Sequence, residues 1–307
     1  MILKHSVYLG NEIQDMQEVK DKYGVGDLFD ALVKFDTRHV ETELSQVEMA
    51  EVVLRECLEG VDKEKVGVII FTSNMSTKCV PSTALTLVSK VGLRKKDLVA
   101  FDLNSNCSGA LSALNVAKEL VKEDELAVVV AVDKFTMVEN EESPITHSYG
   151  DAATCMVIDK YFDDYHFSQD NNTEYIEEMQ LPYKEMVKGQ NDMVMVVVGS
   201  PSFEEVMSLV GPQFEKVCKA VGKSKEEFFA FNFTQGSGKI IEGVSEILQL
   251  NKEKVPFTGK ETGYAGVCCP LINLDYLVKN RGLKRGDLLF FWSLGAGVNS
   301  TMCVFRY

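Results

Sequence analysis

Residues 102–120, DLNSNCSGALSALNVAKEL, leave an apolar strand-like run and enter a helix-like one whose apolar residues fall three and four apart. Cys107 stands at that junction, just before Gly109 and Ala110. A cysteine so placed can be a packed small hydrophobe or a nucleophile. A helix that begins here would point unpaired backbone N–H groups and the positive end of its dipole at the sulfur. A thiolate is then expected, where a free cysteine with a pKa of about 8.5 stays mostly protonated near neutrality. The small neighbours leave room for an extended thioester to approach. On the residues alone both readings stand.

Working outward, the chain repeats itself. VDKEKVGVIIFTS (61–73) and KSKEEFFAFNFTQ (223–235) share a charged lead-in, a short apolar run and a Thr-Ser or Thr-Gln exit. Each is followed by a small-residue helix pattern, NCSGALSALNVAKEL and AGVCCPLINLDYLVKN, and then by two apolar runs. Those runs are ELAVVVAVD with AATCMVID in the first half and DLLFFWSL with STMCVFRY in the second. Continuous Val, Ile and Phe runs alternating with helices predict strands buried on both faces of an α/β protein. Further helices are predicted over 45–60, with Ser45 and Glu48 as a capping box, and over 200–222. The segment 160–180 is acidic and turn-rich and reads as an exposed excursion, followed by the apolar run 191–200. No low-complexity linker divides the chain, so the halves, 1–165 and 166–307, are expected to fold as one unit.

The 307 residues are 45% hydrophobic and 25% charged, with a formal net charge of -14. Such acidity opposes nucleic acid as a partner, which needs clustered Lys and Arg. Neither a signal peptide nor a membrane span is read from the apolar runs, and a cytoplasmic protein is expected. Eight cysteines, without a CxxC pair or a nearby His, predict neither disulfides nor a metal site. Cys155 and Cys303 lie in strand-like runs and read as packed thiols, and Cys268 and Cys269 in a helix-like run read likewise.

Several motifs resemble the thiolase superfamily, specifically its ketoacyl-acyl carrier protein synthase III branch. FDLNSNCSGALSAL resembles the motif around the acylated cysteine. HSYGDAATCMVID (147–159) resembles the Phe-Gly-Asp-Gly-Ala strand start, with Gly150 and Asp151 kept. QGSGKIIEGVSEIL (235–248) resembles the helix after the family histidine, and WSLGAGVNSTMCVFRY (292–307) the closing Gly-rich turn and last strand. The resemblance implies a thiolase-like α/β fold: two duplicated βαβαβαββ halves stacked as a five-layer α-β-α-β-α sandwich. It further implies that Cys107 accepts an acyl group from a phosphopantetheine thioester. The oxyanion hole would comprise the backbone N–H groups of Cys107 and Ala296, the latter in the Gly295-Ala296-Gly297 turn. No bound cofactor is implied, since acyl carrier protein or coenzyme A enters as a substrate carrier.

The resemblance fails where the family's condensation chemistry needs it. Thr234 aligns with the catalytic histidine and Ser237 with the Asn downstream of it, while Tyr264, or Gly263 after a one-residue shift, aligns with the catalytic asparagine. All four histidines lie in the first 166 residues. Ordinary decarboxylative condensation is therefore not expected, whereas acylation of Cys107, followed by transfer to an acceptor in fatty-acid, polyketide or other secondary-metabolite biosynthesis, is. The residues that grip coenzyme A in relatives are also replaced, by Leu28 or Phe29, by Leu32 and by Ser143. That favours a carrier protein as donor, for which the basic cluster Lys279, Arg281, Lys284 and Arg285 is the candidate docking patch. The resemblance also implies a homodimer, with the loop 74–83 reaching the other subunit. The alternative reading is a non-catalytic subunit in a heterodimer with a complete ketosynthase.

Overall fold

The computed structural model describes residues 1–77, 80–177, 179–180, 195–197 and 203–307. Most of the run 191–200, and Lys78 and Cys79 of the loop 74–83, lie outside the described residues. The apolar runs become strands. β1 (Ile2–Leu9), β2 (Val66–Thr72), β3 (Val99–Leu103), β4 (Leu126–Asp133) and β5 (Ala152–Ile158) form a sheet in the order β1-β5-β4-β2-β3. β2 runs parallel to β3 and β4, and β5 antiparallel to β4 and β1. Every residue of β2 and β5 is buried, as strands covered on both faces require.

The second sheet comprises β6 (His166–Asn171), β7 (Ala230–Phe233), β8 (Leu288–Gly295) and β9 (Asn299–Arg306), in the order β7-β8-β9-β6. β7 is parallel to β8, and the other pairs are antiparallel. Thus β6, β9, β8 and β7 repeat the order of β1, β5, β4 and β2. The repeated runs 61–73 and 223–235 supply the equivalent strands β2 and β7. Among the described residues no strand of the second sheet corresponds to β3. β6 falls inside the segment predicted as an exposed excursion. Its Phe167 packs on the core and it completes the edge of β9, although its other residues are too polar to announce a strand.

Six helices build the layers: α1 (Gln46–Leu58), α2 (Thr83–Val91), α3 (Gly109–Leu120), α4 (Phe203–Val221), α5 (Gly238–Ile247) and α6 (Cys269–Asn280). α3 and α6 lie between the sheets. Leu111 and Leu114 of α3, with Leu271, Leu274 and Leu277 of α6, join one core with Ile70 and Val129 of the first sheet and Phe291 and Phe305 of the second. Burying each such side chain contributes about 1.5–3 kcal/mol. α1 and α2 cover the outer face of the first sheet, and α4 and α5 that of the second, which gives the five-layer α-β-α-β-α sandwich.

Polar residues fix the ends of these elements. Ser45 and Glu48 form the capping box of α1. Asp102, at the end of β3, accepts from Thr83 N (2.7 Å) and Ala84 N (2.8 Å) and so anchors the start of α2. Asp151 accepts from the backbone of Glu41 and Thr136 and from the Thr136 hydroxyl, a structural role. Gly150 brings its strand against the chain before Tyr264: a Cβ there would run into the carbonyl oxygen of Thr262, and Gly150 N donates to Tyr264 O at 2.9 Å. Gly150→Ala is therefore expected to cost at least about 1–3 kcal/mol, read as a lower urea midpoint at unchanged slope.

Candidate active site

Parallel strands place their carboxyl ends together, and the residues that follow those ends meet here. β2 leads to Ser73 and Asn74, β3 to the turn carrying Cys107, and β4 ends at Asp133. From the second half, β8 leads to Ala296, and the chain before α6 contributes Tyr264. A cavity of about 330 Å³ opens between them. Asn74, Asn104, Asn106 and Cys107 form its polar side, and Phe135, Tyr149 and Tyr264 an aromatic wall, with Ala296, Gln180 and Met195 completing it.

The cysteine turn is held by both halves. Asn106 Nδ2 donates to Ala296 O (3.1 Å), and Ser108 Oγ donates to Ser293 O (3.3 Å). Gly295 allows this approach, because a Cβ there would lie 3.0 Å from the Asn106 Cβ and 3.5 Å from Cys107 N. Gly297 takes a positive φ of 71°, which a side chain would strain. Gly109 is equally tight, since a Cβ would strike Thr72 Oγ1 where α3 starts beneath β2.

Cys107 is partly buried and faces the cavity. The sulfur donates to Asn74 Oδ1 at 3.8 Å, and the Tyr264 hydroxyl and the Ala296 backbone N–H act on it electrostatically. Burial nevertheless dominates: it pushes the thiol up to about 11, and the Asp133 charge pushes the same way, while the Tyr264 and Ala296 donors pull it down. The expected thiolate is thereby corrected. The sequence locates a helix start but not the protein atoms that take water from the sulfur, and their desolvation outweighs the donors.

Asn74 owes its orientation to Asp133. Asn74 Nδ2 donates to Asp133 Oδ2 at 2.6 Å and Asn74 N to Oδ1 at 2.8 Å. Ser73 Oγ (3.0 Å) and Val267 N (2.9 Å) donate to the same carboxylate. Gln46 Nε2 of α1 donates in turn to Ser73 Oγ at 2.8 Å. Burial pushes the Asp133 carboxyl up to about 6 despite these donors. The Asn74 Oδ1 is left 3.8 Å from Cys107 Sγ.

The aligned positions separate. Tyr264 reaches the sulfur, its ring stacked on Phe135 at 5.9 Å and edge-on to Tyr149 at 5.1 Å. Burial pushes its hydroxyl well up, so it remains a neutral donor. Gly263, at φ 70°, is a backbone turn against Ser148 and lies outside the cavity lining. Thr234 is buried just after β7, its N–H donating to Trp292 O at 2.8 Å, and it too is absent from the lining. Ser237 is the N-cap of α5, accepting from Ile240 N. Cys268 packs with its sulfur donating to Ala131 O (3.2 Å) and Ala152 O (3.3 Å).

The basic cluster does not surround the cavity. It follows the C-terminal end of α6, roughly 18 Å along that helix from the end nearest Tyr264. Lys279 pairs with Asp275 at 2.7 Å, and Arg285 donates to Ile2 O and lies over the Tyr307 ring. Asn74, Asp133, Phe135 and Tyr149 were not singled out in the sequence. The signal available was their position at the polar ends of apolar strand runs. Among the described residues no His, Cys, Asp and Glu group could hold a metal ion, and no helix is long and apolar enough to cross a membrane.

Residues 101–171 match the domain family described as 3-oxoacyl-[acyl-carrier-protein (ACP)] synthase III, and residues 218–307 its C-terminal domain. The beta-ketoacyl-[acyl-carrier-protein] synthase III of Aquifex aeolicus is 25% identical over 277 residues, 88% of this chain and 87% of that protein. Its Aliarcobacter butzleri counterpart is 23% identical over 81% of this chain and 78% of its own. The crystal structure of 3-oxoacyl-[acyl-carrier-protein] synthase III from Aquifex aeolicus superposes with a TM-score of 0.84 at 20% identity, covering 100% of this chain and 99% of its own. A single-substitution variant of OleA from Xanthomonas campestris gives 0.85 at 20% identity, with 100% and 96% covered.

Tyr264→Phe removes a donor that stabilises the ionised sulfur. The Cys107 thiol should then titrate higher still, and alkylation by iodoacetamide at a fixed pH below 11 should slow by about tenfold, with the circular dichroism spectrum unchanged.

Proposed function

The chain belongs to the 3-oxoacyl-[acyl-carrier-protein] synthase III family, and from that membership we propose that it is an acyltransferase taking an acyl group from a thioester onto Cys107. The observation that carries this reading is the convergence of three groups on one sulfur: the Tyr264 hydroxyl, the Ala296 N–H and the Asn74 amide. In the first step Cys107 Sγ attacks the thioester carbonyl carbon, a new S–C bond forms and the carrier's C–S bond breaks. The thiol proton passes to the departing carrier sulfur, with the Tyr264 hydroxyl as the relay. The exchange consumes no net proton, so it does not demand the imidazole that the family histidine would supply. The Ala296 N–H, with that of Cys107, would stabilise the transient oxyanion, a donor of this kind being worth about 3–4 kcal/mol of barrier.

The acyl group would then pass to an acceptor entering the same cavity. The donor is an acyl-carrier-protein or acyl-coenzyme A thioester, the first in keeping with the names of the relatives. Residues 1–165 supply the nucleophile and residues 166–307 supply Tyr264 and Ala296, folded as one unit. The shared core around α3 and α6 supports that division of labour. The aromatic-walled cavity lacks an imidazole among its described lining residues, which supports transfer without decarboxylative condensation.

Incubation with a panel of acyl-coenzyme A and acyl-carrier-protein thioesters should yield an adduct on wild type that Cys107→Ala lacks. No adduct from any donor would reject the proposal. A second reading, a non-catalytic subunit beside a complete ketosynthase, is favoured by the dormant thiol. It would be preferred if Cys107→Ala left the activity of a co-purified synthase unchanged.

A dimer is supported by the edge position of β3, which carries exposed Val99, and by exposed Leu85 on α2, which packs against β3, and Val80 just before it. Replacing both Val99 and Leu85 by Lys should convert dimer to monomer in light scattering, and a wild-type monomer would contradict the assignment.

A further inference from the structure

We propose that Asp133 is a positioning residue for Cys107, acting through Asn74 to keep the sulfur a protonated thiol while the cavity is empty. A carboxylate only accepts, so the Asn74 amino group must face it, and the amide oxygen is the atom presented to the sulfur at 3.8 Å. The orientation matters chemically. An amide N–H would stabilise a thiolate, whereas an oxygen accepts from S–H and disfavours the anion. The backbone N–H of Asn74 and that of Val267 fix the carboxylate from both halves of the chain, so neither it nor the amide is free to turn.

Asp133 is also the charge that the sulfur meets. The titratable groups facing Cys107 among the described residues are Asp133, Tyr149, Tyr264 and Cys269. Burial keeps the last three neutral at physiological pH, and Cys268 behind Asp133 is likewise held as a thiol. Asp133, pushed up to about 6, is still ionised at about pH 8. A thiol resists the oxidants and electrophiles that attack a thiolate, so the pair protects the sulfur until a thioester arrives.

The catalytic meaning rests on Cys107 being the acylated residue, but the test does not. Alkylation by iodoacetamide reads the sulfur without any acyl donor, so a chain that is never acylated still answers the question. Asp133→Asn should alkylate about tenfold faster than wild type at a fixed pH near 8, its profile displaced about one unit downward. Asp133→Ser, which removes the charge but keeps a hydroxyl for the Asn74 amide, should move the same way if the first variant does not fold. Asp133→Glu, which retains the charge, should stay within about twofold of wild type. In wild type itself, the infrared S–H stretch lost in Cys107→Ala should persist at about pH 9. Superimposable profiles for wild type and a folded charge-removing variant, or no such band at that pH, would overturn the proposal.

Discussion

The carboxylate of Asp133 gathers four donors from two separate stretches of chain, and the geometry of the site follows from satisfying it. It sits at the end of β4, beside the end of β2, and is fully buried. Left unpaired, such a charge would be prohibitively costly, so Ser73, Asn74 and Val267 are drawn to it. Ser73 and Asn74 belong to the first half and Val267 to the second. The carboxylate therefore pins the chain before α6 to the strand ends of the first sheet, and Tyr264 comes with it. Gly266 lies against the carboxylate with no room for a side chain. One buried charge thus couples the packing of the halves to the surroundings of one sulfur.

From this constraint the chemistry follows in order. Cys107 sits where β3 hands over to α3, and the Gly-rich turn after β8 closes on it because Gly295 has no Cβ. The sulfur is then influenced by the Tyr264 hydroxyl and the Ala296 N–H and faces the Asn74 amide oxygen. Desolvation and the Asp133 charge outweigh the donors, leaving a thiol. Exchange between thioesters suits such a sulfur, because its proton can leave with the departing carrier. A neutral tyrosine hydroxyl, poor at taking charge, is adequate for relaying that proton.

Much of the fold was legible because it rests on patterns that persist locally. The apolar runs 66–72 and 152–158 are buried on both faces, and the twin helices α3 and α6 carry the small and apolar residues that a layer between two sheets demands. The Gly295-Ala296-Gly297 turn and Tyr264 were also reachable, through motif order. The strand β6 was not, since an edge strand with one packed aromatic looks like polar coil. Asn74 and Asp133 were missed because a polar residue ending an apolar run is ordinary in sequence, and only the meeting of two parallel strand ends gives it a partner. The thiol's ionisation was misjudged for the same reason: desolvation comes from residues far away in the chain.

The central claim is that a thioester carbonyl is bound at the meeting point of Cys107, Tyr264 and Ala296. A crystal structure of the protein soaked with a short acyl thioester tests it most directly. The account predicts electron density continuous from Cys107 Sγ into the aromatic-walled cavity, with the acyl oxygen within hydrogen-bonding distance of Ala296 N. Density for an acyl group on another side chain, or an intact thioester bound away from this cavity with Cys107 unmodified, would contradict it.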